Sequence, residues 1–374
     1  MELEYHRIVI KLGTRLLTSG KDRLDLELMG SLVHQIARLH REGAEVIIVS
    51  SGAIASGREK FPHLDGKGKV PIRQILASIG QGRLMHTYDH LFGRYDISVA
   101  QALLTKYDLS SRSGYLNARN VLLELLKLRV IPIVNNNDVV STDEIIKELT
   151  FGDNDSLSAH VASLVNADLL AILGDVEGLY TQDPGVYPEA KLIPYVEYIN
   201  ESVEEMASPQ ANPQGMGGMR SKVRAAKLAT GFGTAMVIAS GKEREIILDL
   251  AEGKSHGTLF PPRVSKLESR RRFLMSGPPH KGRLVIDGGA DAALREGEGS
   301  LLPVGIVDAQ GNFERGDVVD VIDIKDVMLG CGICNYSSLD IMRIKGLHSD
   351  RIASILGYTY GEEAIHRNNL VVLK

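Results

Sequence analysis

The chain has 374 residues, 44% of them hydrophobic, and a formal net charge of −4 from 43 Lys+Arg against 47 Asp+Glu. That length exceeds one average domain and supplies a large core, so two domains are expected; with no Trp, 5% aromatic residues and 38 glycines, it fits a turn-rich sheet-and-helix enzyme better than a recognition surface built from rings. The polar start Met1-Glu2-Leu3-Glu4-Tyr5-His6 is unlike a secretory signal, and no apolar run approaches the roughly 20 residues of a membrane span, so a soluble, cytoplasmic protein without a membrane partner is expected.

In chain order, Ile8-Val9-Ile10-Lys11-Leu12-Gly13 reads as a buried strand ending in a lysine and a glycine. Leu26, Met29, Leu32, Val33, Ile36 and Leu39 then recur at helical spacing, with Gly43 as the stop. Val46-Ile47-Ile48-Val49 is a second buried strand. Helices are expected around 72–92 and 114–128, strands over 97–101 and 130–134, and a helix from near Leu157. Strands over 169–173 and 235–239 follow, with a helix over 222–230 between them, closed by Gly231. Near-continuous apolar strands alternating with helices predict an α/β fold with an open, mainly parallel sheet sandwiched by helices.

Around 253–281 the texture changes. Gly253, Gly257, Pro261, Pro262, Gly277, Pro278 and Pro279 surround Arg270-Arg271-Arg272, and the inter-domain connection is placed there. The arginines, following Lys266, read as a solvated face rather than a nucleic-acid site. Beyond lie short strands over 283–287, 304–308, 317–322 and 327–336, punctuated by Gly288-Gly289 and Gly311-Asn312, which suggest a small, mostly β module. The expected division is 1–257, a linker over 258–280, and 281–374. From Ser276 to Lys374, 10 Lys+Arg stand against 14 Asp+Glu, a net of −4 that argues against a dedicated RNA surface. The two cysteines, Cys331 and Cys334, form a CxxC pair, but a structural zinc site usually needs four ligands and no second pair exists. They read as small strand residues, with a redox role the lesser alternative.

Four segments sit where a strand gives way to a loop or helix, the edge at which open α/β sheets bind ligands. Lys11, beside Gly13, puts an ammonium at the carboxyl edge of the first strand, although a strand-end lysine is commonly just a solvated charge. Ser50-Ser51-Gly52-Ala53-Ile54-Ala55-Ser56-Gly57 offers small residues whose backbone N–H groups suit an anion at a helix start, and equally suit a tight turn. Gly152-Asp153-Asn154-Asp155 carries more acids and amides than a helix cap requires, as does Asn135-Asn136-Asn137-Asp138, and such loops suit the amino and carboxylate groups of an amino acid. Gly215-Met216-Gly217-Gly218-Met219-Arg220-Ser221-Lys222, glycines before a helix with an early lysine, suggests a phosphate cradle that is neither a P-loop nor a dinucleotide fingerprint. Gly253-Lys254-Ser255 looks like the end of a P-loop, but Leu248 replaces its first glycine, so it reads as a helix stop.

In this order and spacing the segments closely resemble the glutamate-phosphorylating branch of the amino acid kinase family, across essentially the whole chain. The match rests on Val9-Ile10-Lys11-Leu12-Gly13-Thr14, Ser51-Gly52-Ala53-Ile54-Ala55-Ser56-Gly57, Leu116-Asn117-Ala118-Arg119, Gly152-Asp153-Asn154-Asp155 and Gly217-Gly218-Met219-Arg220-Ser221-Lys222. Gly178-Leu179-Tyr180-Thr181, Asp183-Pro184 and Leu356-Gly357-Tyr358 support it. The resemblance implies a parallel α/β kinase domain followed by a PUA-like domain. It also implies transfer of the γ-phosphoryl of ATP, with Mg²⁺ bridging phosphate oxygens, to the side-chain carboxylate of L-glutamate, the first step of proline biosynthesis.

By the same resemblance, Lys11 meets the transferring phosphoryl and Lys222 the nucleotide phosphates, with Asp155 orienting both. Ser51, Asp138 and Asn154, with Asp153 beside them, match glutamate-binding positions. Gly174, Asp175, Met216, Gly217, Gly218, Met219, Arg220, Ser221 and Lys222 match nucleotide-binding ones. Relatives commonly carry Thr where Gly174 stands and Glu where Asn136 stands, which bears on one nucleotide contact and on glutamate affinity or feedback by proline. Proline as inhibitor, glutamyl-phosphate reductase as functional partner and a dimer or tetramer are further implications. The rival readings are another small-molecule kinase on the same fold, acting on aspartate, acetylglutamate, carbamate or a nucleotide, and an RNA-binding protein led by its C-terminal module.

Overall fold

A computed structural model describes residues 2–64, 70–140, 154–207, 218–276, 279–296 and 299–373, with the side chains of 270–273 and 276 left aside. It divides into two units, one comprising Met1–Leu109 and Val121–Val264, the other Ser110–Asn120 and Ser265–Lys374.

The first unit is built on seven strands: β1 (Arg7–Leu12), β2 (Glu45–Ser50), β3 (Val99–Leu104), β4 (Ile131–Asn136), β5 (Leu169–Gly174), β6 (Ala235–Ser240) and β7 (Thr258–Phe260). Their order is β3-β4-β2-β1-β5-β6-β7, parallel throughout except for the short β7 at one edge. The central strands are apolar on both faces because helices cover both: Ile8, Val9 and Ile10, Val46 to Val49 and Leu169 to Leu173 are all buried. The helix Leu26–Arg41 turns Met29, Leu32, Val33, Ile36 and Leu39 into this core, and Asp25 caps its start by accepting from the Leu28 amide.

The order fixes where a ligand goes. β1 is central, β2 pairs on one side and β5 on the other, so the chain crosses to opposite halves of the sheet from this strand, and the crevice at such a switch point is where open sheets take ligands. Lys11, Ser50, Asn136 and Gly174 all lie at or next to the carboxyl ends of their strands.

Some boundaries differ from the sequence expectation. The strand expected over 97–101 begins at Val99, because the Ile97 amide still bonds Phe92 O at the end of the preceding helix and Asp96 takes a left-handed turn. β4 runs on through Asn135 and Asn136, residues expected in a loop. The helix expected over 222–230 begins three residues earlier and spans Met219–Gly231. Gly253 does end a helix, Ile246–Ala251, so the P-loop look-alike is indeed a stop.

The second unit carries β8 (His280–Ile286), β9 (Ile306–Gly311), β10 (Val318–Asp323), β11 (Met328–Ile333) and β12 (Leu370–Val372) in the order β12-β11-β10-β8-β9. β8 and β10 are parallel and the other pairs antiparallel. β9 starts two residues later than expected because 303–305 form a 3-10 turn begun by Pro303. Leu116 joins this unit in a small apolar cluster with Leu274, Val318, Cys331, Ile333 and Val371. Cys331 lies on β11 and Cys334 one residue past it; both are free and buried, and burial pushes their thiols up to about 11 and about 12. They are packing residues, in separate apolar clusters. Among the described residues no helix is long and apolar enough to cross a membrane, and no group of three His, Cys, Asp or Glu side chains is placed to hold a metal ion.

Candidate active site

Lys11 occupies β1 between Val49 of β2 and Ile172 of β5, and only 7% of it is exposed. A lysine that buried needs a partner. The partner is Asp155, in the first turn of the helix Asn154–Leu164 and 3% exposed, whose Oδ1 lies 2.6 Å from Lys11 Nζ. Its other oxygen, Oδ2, accepts from Ser221 Oγ at 2.5 Å and lies 3.5 Å from Lys222 Nζ. Ser221 and Lys222 belong to the first turn and a half of the helix Met219–Gly231, which packs along the helix Asn154–Leu164, so two helix starts meet at one carboxylate.

Burial pushes the Asp155 carboxyl up, but the charges of Lys11 and Lys222, with hydrogen bonds from Lys11 and Ser221, outweigh it and hold the group well below the usual carboxylate range. Two ammonium groups around one carboxylate leave a net charge of +1 in a largely water-excluded place, and the partial positive charge of the helix starts adds to it. Such a place is suited to an anion.

Beside this ionic cluster, towards β2 and β4, the groups that meet Asn154 are neutral, and a carboxylate, Asp138, is held by Asn136. Gly52, at φ 102°, takes the left-handed conformation that turns the chain from β2 into the helix Ala53–Lys60, which leaves Ser51 at the bend. Asn154 Nδ2 lies within hydrogen-bond distance of Ser51 Oγ (2.9 Å), Asn135 Oδ1 (3.0 Å) and Ser50 O (3.3 Å), which ties β2, β4 and the helix start together. Asn136 Nδ2 donates to Asp138 Oδ1 at 2.9 Å. A donor at position 136 holds the Asp138 carboxylate, where a glutamate would repel it.

On the far side of β1, Gly174 ends β5, and its Cα faces Lys222: a Cβ there would sit 3.8 Å from Lys222 Cε. Asp175 pairs with Arg15 at 3.1 Å. Gly218 caps the helix Met219–Gly231 with no side chain of its own.

Of the residues singled out in the sequence, the structure therefore brings Lys11, Asp155, Ser221 and Lys222 together, and Ser51 with Asn154 beside them. Asp138 is held by Asn136, and Gly174 and Asp175 follow on the Lys222 side, with Gly218, Met219 and Arg220 leading into Ser221. Asp153, Met216 and Gly217 lie outside the described residues. Sequence reasoning missed the contact of Ser221 with Asp155 and the pairing of Arg15 with Asp175. Neither has a local signature, since 66 residues separate the first pair.

The chain matches the sequence pattern of the amino acid kinase family over residues 6–240 and of the PUA domain over residues 282–356. The chain belongs to the amino acid kinase family. Within that family it is 53% identical over 369 residues to the glutamate 5-kinase of Dehalococcoides mccartyi, covering 99% of each chain. It is 46% identical over 372 residues to the glutamate 5-kinase of Herpetosiphon aurantiacus, covering 99% of this chain and 100% of the relative. To that of Photobacterium profundum it is 47% identical over 366 residues, 98% and 96% of the two chains. The PUA match takes in most of β8 and all of β9, β10 and β11, and ends before β12.

Proposed function

We propose that this chain transfers the γ-phosphoryl of ATP to the side-chain carboxylate of L-glutamate, giving L-glutamyl 5-phosphate. The observation that carries the reading is the pair of lysines converging on one buried carboxylate, beside the hydrogen-bonded set of Ser51, Asn135 and Asn154, in a chain whose full-length relatives are named glutamate 5-kinase. An acceptor carboxylate of pKa about 4 is already ionised at neutral pH, so the reaction needs no general base. One of its oxygens bonds to the γ-phosphorus while the bond from that phosphorus to the β–γ bridging oxygen breaks, and ADP leaves with that electron pair. The obstacle is the approach of one anion to another.

The ionic cluster answers that obstacle. Lys11 meets the transferring phosphoryl and Lys222 the nucleotide phosphates, and both are held in place before reaction by Asp155, which Ser221 in turn fixes. Charge spreading over the phosphoryl oxygens is thereby stabilised by groups that need not reorganise. Ser51 and Asn154 hold the acceptor, and Asp138 complements its α-ammonium group. Gly174, Asp175 and the start of the helix Met219–Gly231 lie on the nucleotide side. Asp155 already engages two ammonium groups and a hydroxyl, so a magnesium ion accompanying ATP would rely on phosphate oxygens and water rather than on that carboxylate. When bound, the ion neutralises phosphate charge. The product, a labile acyl phosphate, fits a place in proline biosynthesis ahead of glutamyl-phosphate reductase, with proline as feedback inhibitor and a homo-oligomer as the working form.

The test is incubation of the purified protein with ATP, Mg²⁺ and L-glutamate, aspartate or N-acetylglutamate, with hydroxylamine present to trap an acyl phosphate and ADP followed in parallel. Hydroxamate with glutamate alone is expected. Hydroxamate with another acceptor keeps the chemistry and changes the substrate, and ADP without hydroxamate from any of the three rejects acyl-phosphate formation.

A further inference from the structure

The long helix Val70–Gly93 contributes none of the site residues discussed so far, yet it touches the acceptor side of the site at three points. The first is backbone against backbone. A Cβ on Gly80 would lie 1.7 Å from Ala53 O, and one on Gly57 would lie 2.0 Å from Leu76 O, so this helix and the helix Ala53–Lys60 pack at a distance only glycines permit. The helix Ala53–Lys60 begins two residues after Ser51, so its seating sets the bend that presents Ser51.

The second and third points are hydrogen bonds from side chains two turns apart, and therefore on one face. The Tyr88 hydroxyl lies 2.8 Å from Ser50 Oγ, and Ser50 Oγ donates to Ser51 O at 2.9 Å. Tyr88 is 1% exposed, and burial pushes its phenol well above the ordinary value, so it is a neutral brace with no access to substrate. Gln81 Oε1 accepts from Asn135 Nδ2 at 2.8 Å. That bond fixes which way the Asn135 amide faces and turns its Oδ1 towards Asn154 Nδ2, which also donates to Ser51 Oγ. Two chains of contacts, Tyr88 to Ser50 to Ser51 and Gln81 to Asn135 to Asn154, thus run from one helix face to the two groups that meet each other at the acceptor side. Among the described residues neither chain of contacts is joined by a side-chain hydrogen bond to Lys11 or Lys222, although Asn154 directly precedes Asp155.

We infer that Tyr88 and Gln81 are positioning residues for the phosphoryl acceptor and not for the nucleotide, an inference that rests on the reading of Ser51 and Asn154 as acceptor residues. The buried donor Gln81 Nε2 has no partner among the described residues, and a helix that tolerates that cost while offering Oε1 to Asn135 is consistent with selection for the placement of Asn135.

The test uses the full chain and whichever acceptor the wild type phosphorylates, so a wrong assignment of glutamate shows in the wild type before any variant is made. Tyr88→Phe, which keeps the ring and removes the hydroxyl, is expected to raise KM for the acceptor about 3- to 10-fold while KM for ATP stays within about 2-fold. Gln81→Met is expected to give the same split by the independent route. Ser50→Ala should resemble Tyr88→Phe, and the double variant should be no worse than the worse single one, because both remove the same link. Equal rises in both KM values, an unchanged acceptor KM, or full additivity of Tyr88→Phe with Ser50→Ala would each overturn the assignment. A wild type that phosphorylates no acceptor overturns it together with the reading on which it rests.

Discussion

The two halves of the site are built from opposite materials. On the side of β1 and β5 the groups are charged and buried, with Lys11 and Lys222 around Asp155. On the side of β2 and β4 they are amides and a hydroxyl, with Asn154 linking Ser51 and Asn135. The difference follows from what each half must hold. A transferring phosphoryl gains and redistributes negative charge during the reaction, so fixed cations there lower the barrier. The α-ammonium and α-carboxylate of the amino acid keep their charges through the reaction, and neutral groups of defined direction can orient it without competing with Asp138 for its ammonium group. The ionic half should therefore govern turnover, and the neutral half should govern acceptor affinity.

The largest effect is expected from Asp155→Asn. The substitution leaves two ammonium groups unpaired in a buried place, where breaking an ion pair costs about 3–5 kcal/mol, and it also frees both lysines to wander. The pH dependence has a definite sign. The Asp155 carboxyl is held below its unfolded value, so its stabilisation is fully present above that ordinary value, near pH 4, and is lost as pH falls towards the folded value. The gap in Tm between wild type and Asp155→Asn should thus be widest at neutral pH and narrow below about pH 4. A gap that widens in acid would show that the lysines do not hold this carboxylate.

Next in size are Lys222→Ala and Lys11→Ala, each expected to lower kcat by about 10²- to 10³-fold with the far-UV spectrum unchanged. Normal turnover in either removes that lysine from the transition state. Asn154→Ala is expected to do the reverse, raising KM for the acceptor about 10-fold with a smaller loss in kcat. A pure kcat effect from Asn154→Ala would mean that the neutral half also stabilises the transition state, and the contrast between the halves would fail.

The sheet was legible in the sequence because β2, β5 and β6 are unbroken apolar runs bounded by small or polar residues, and β1 is one broken only by Lys11. Strand β3 was harder, since Ile97 is buried like a strand residue while its amide still closes a helix. Strand β12, three residues that pair with β11 some forty positions earlier, has no local pattern to announce it. In the site, Lys11, Asp155 and Lys222 stood out through the resemblance to the family and through their places beside glycines. Tyr88 and Gln81 did not, because a tyrosine and a glutamine on a long helix look alike whether they brace a loop or fill a surface. Only tertiary structure shows that they face Ser50 and Asn135.

The smallest effect is the sharpest on the division between the halves. By the resemblance to the family a threonine is expected where Gly174 stands, and the structure leaves room for one: an added Cβ would meet Lys222 Cε and the Val176 amide nitrogen at 3.8 Å, which is ordinary van der Waals contact. Its backbone is not in the left-handed region, and its carbonyl accepts from the Gly241 amide, a bond that a side chain does not disturb. Gly174→Thr should therefore fold with Tm little changed and place a hydroxyl beside the Lys222 stem. If that hydroxyl reaches a bound nucleotide, KM for ATP should fall about 2- to 5-fold while KM for the acceptor does not move, since one added hydrogen bond is worth that much. If the acceptor KM shifts instead, Gly174 faces the acceptor, and the boundary between the charged and the neutral half does not follow β1.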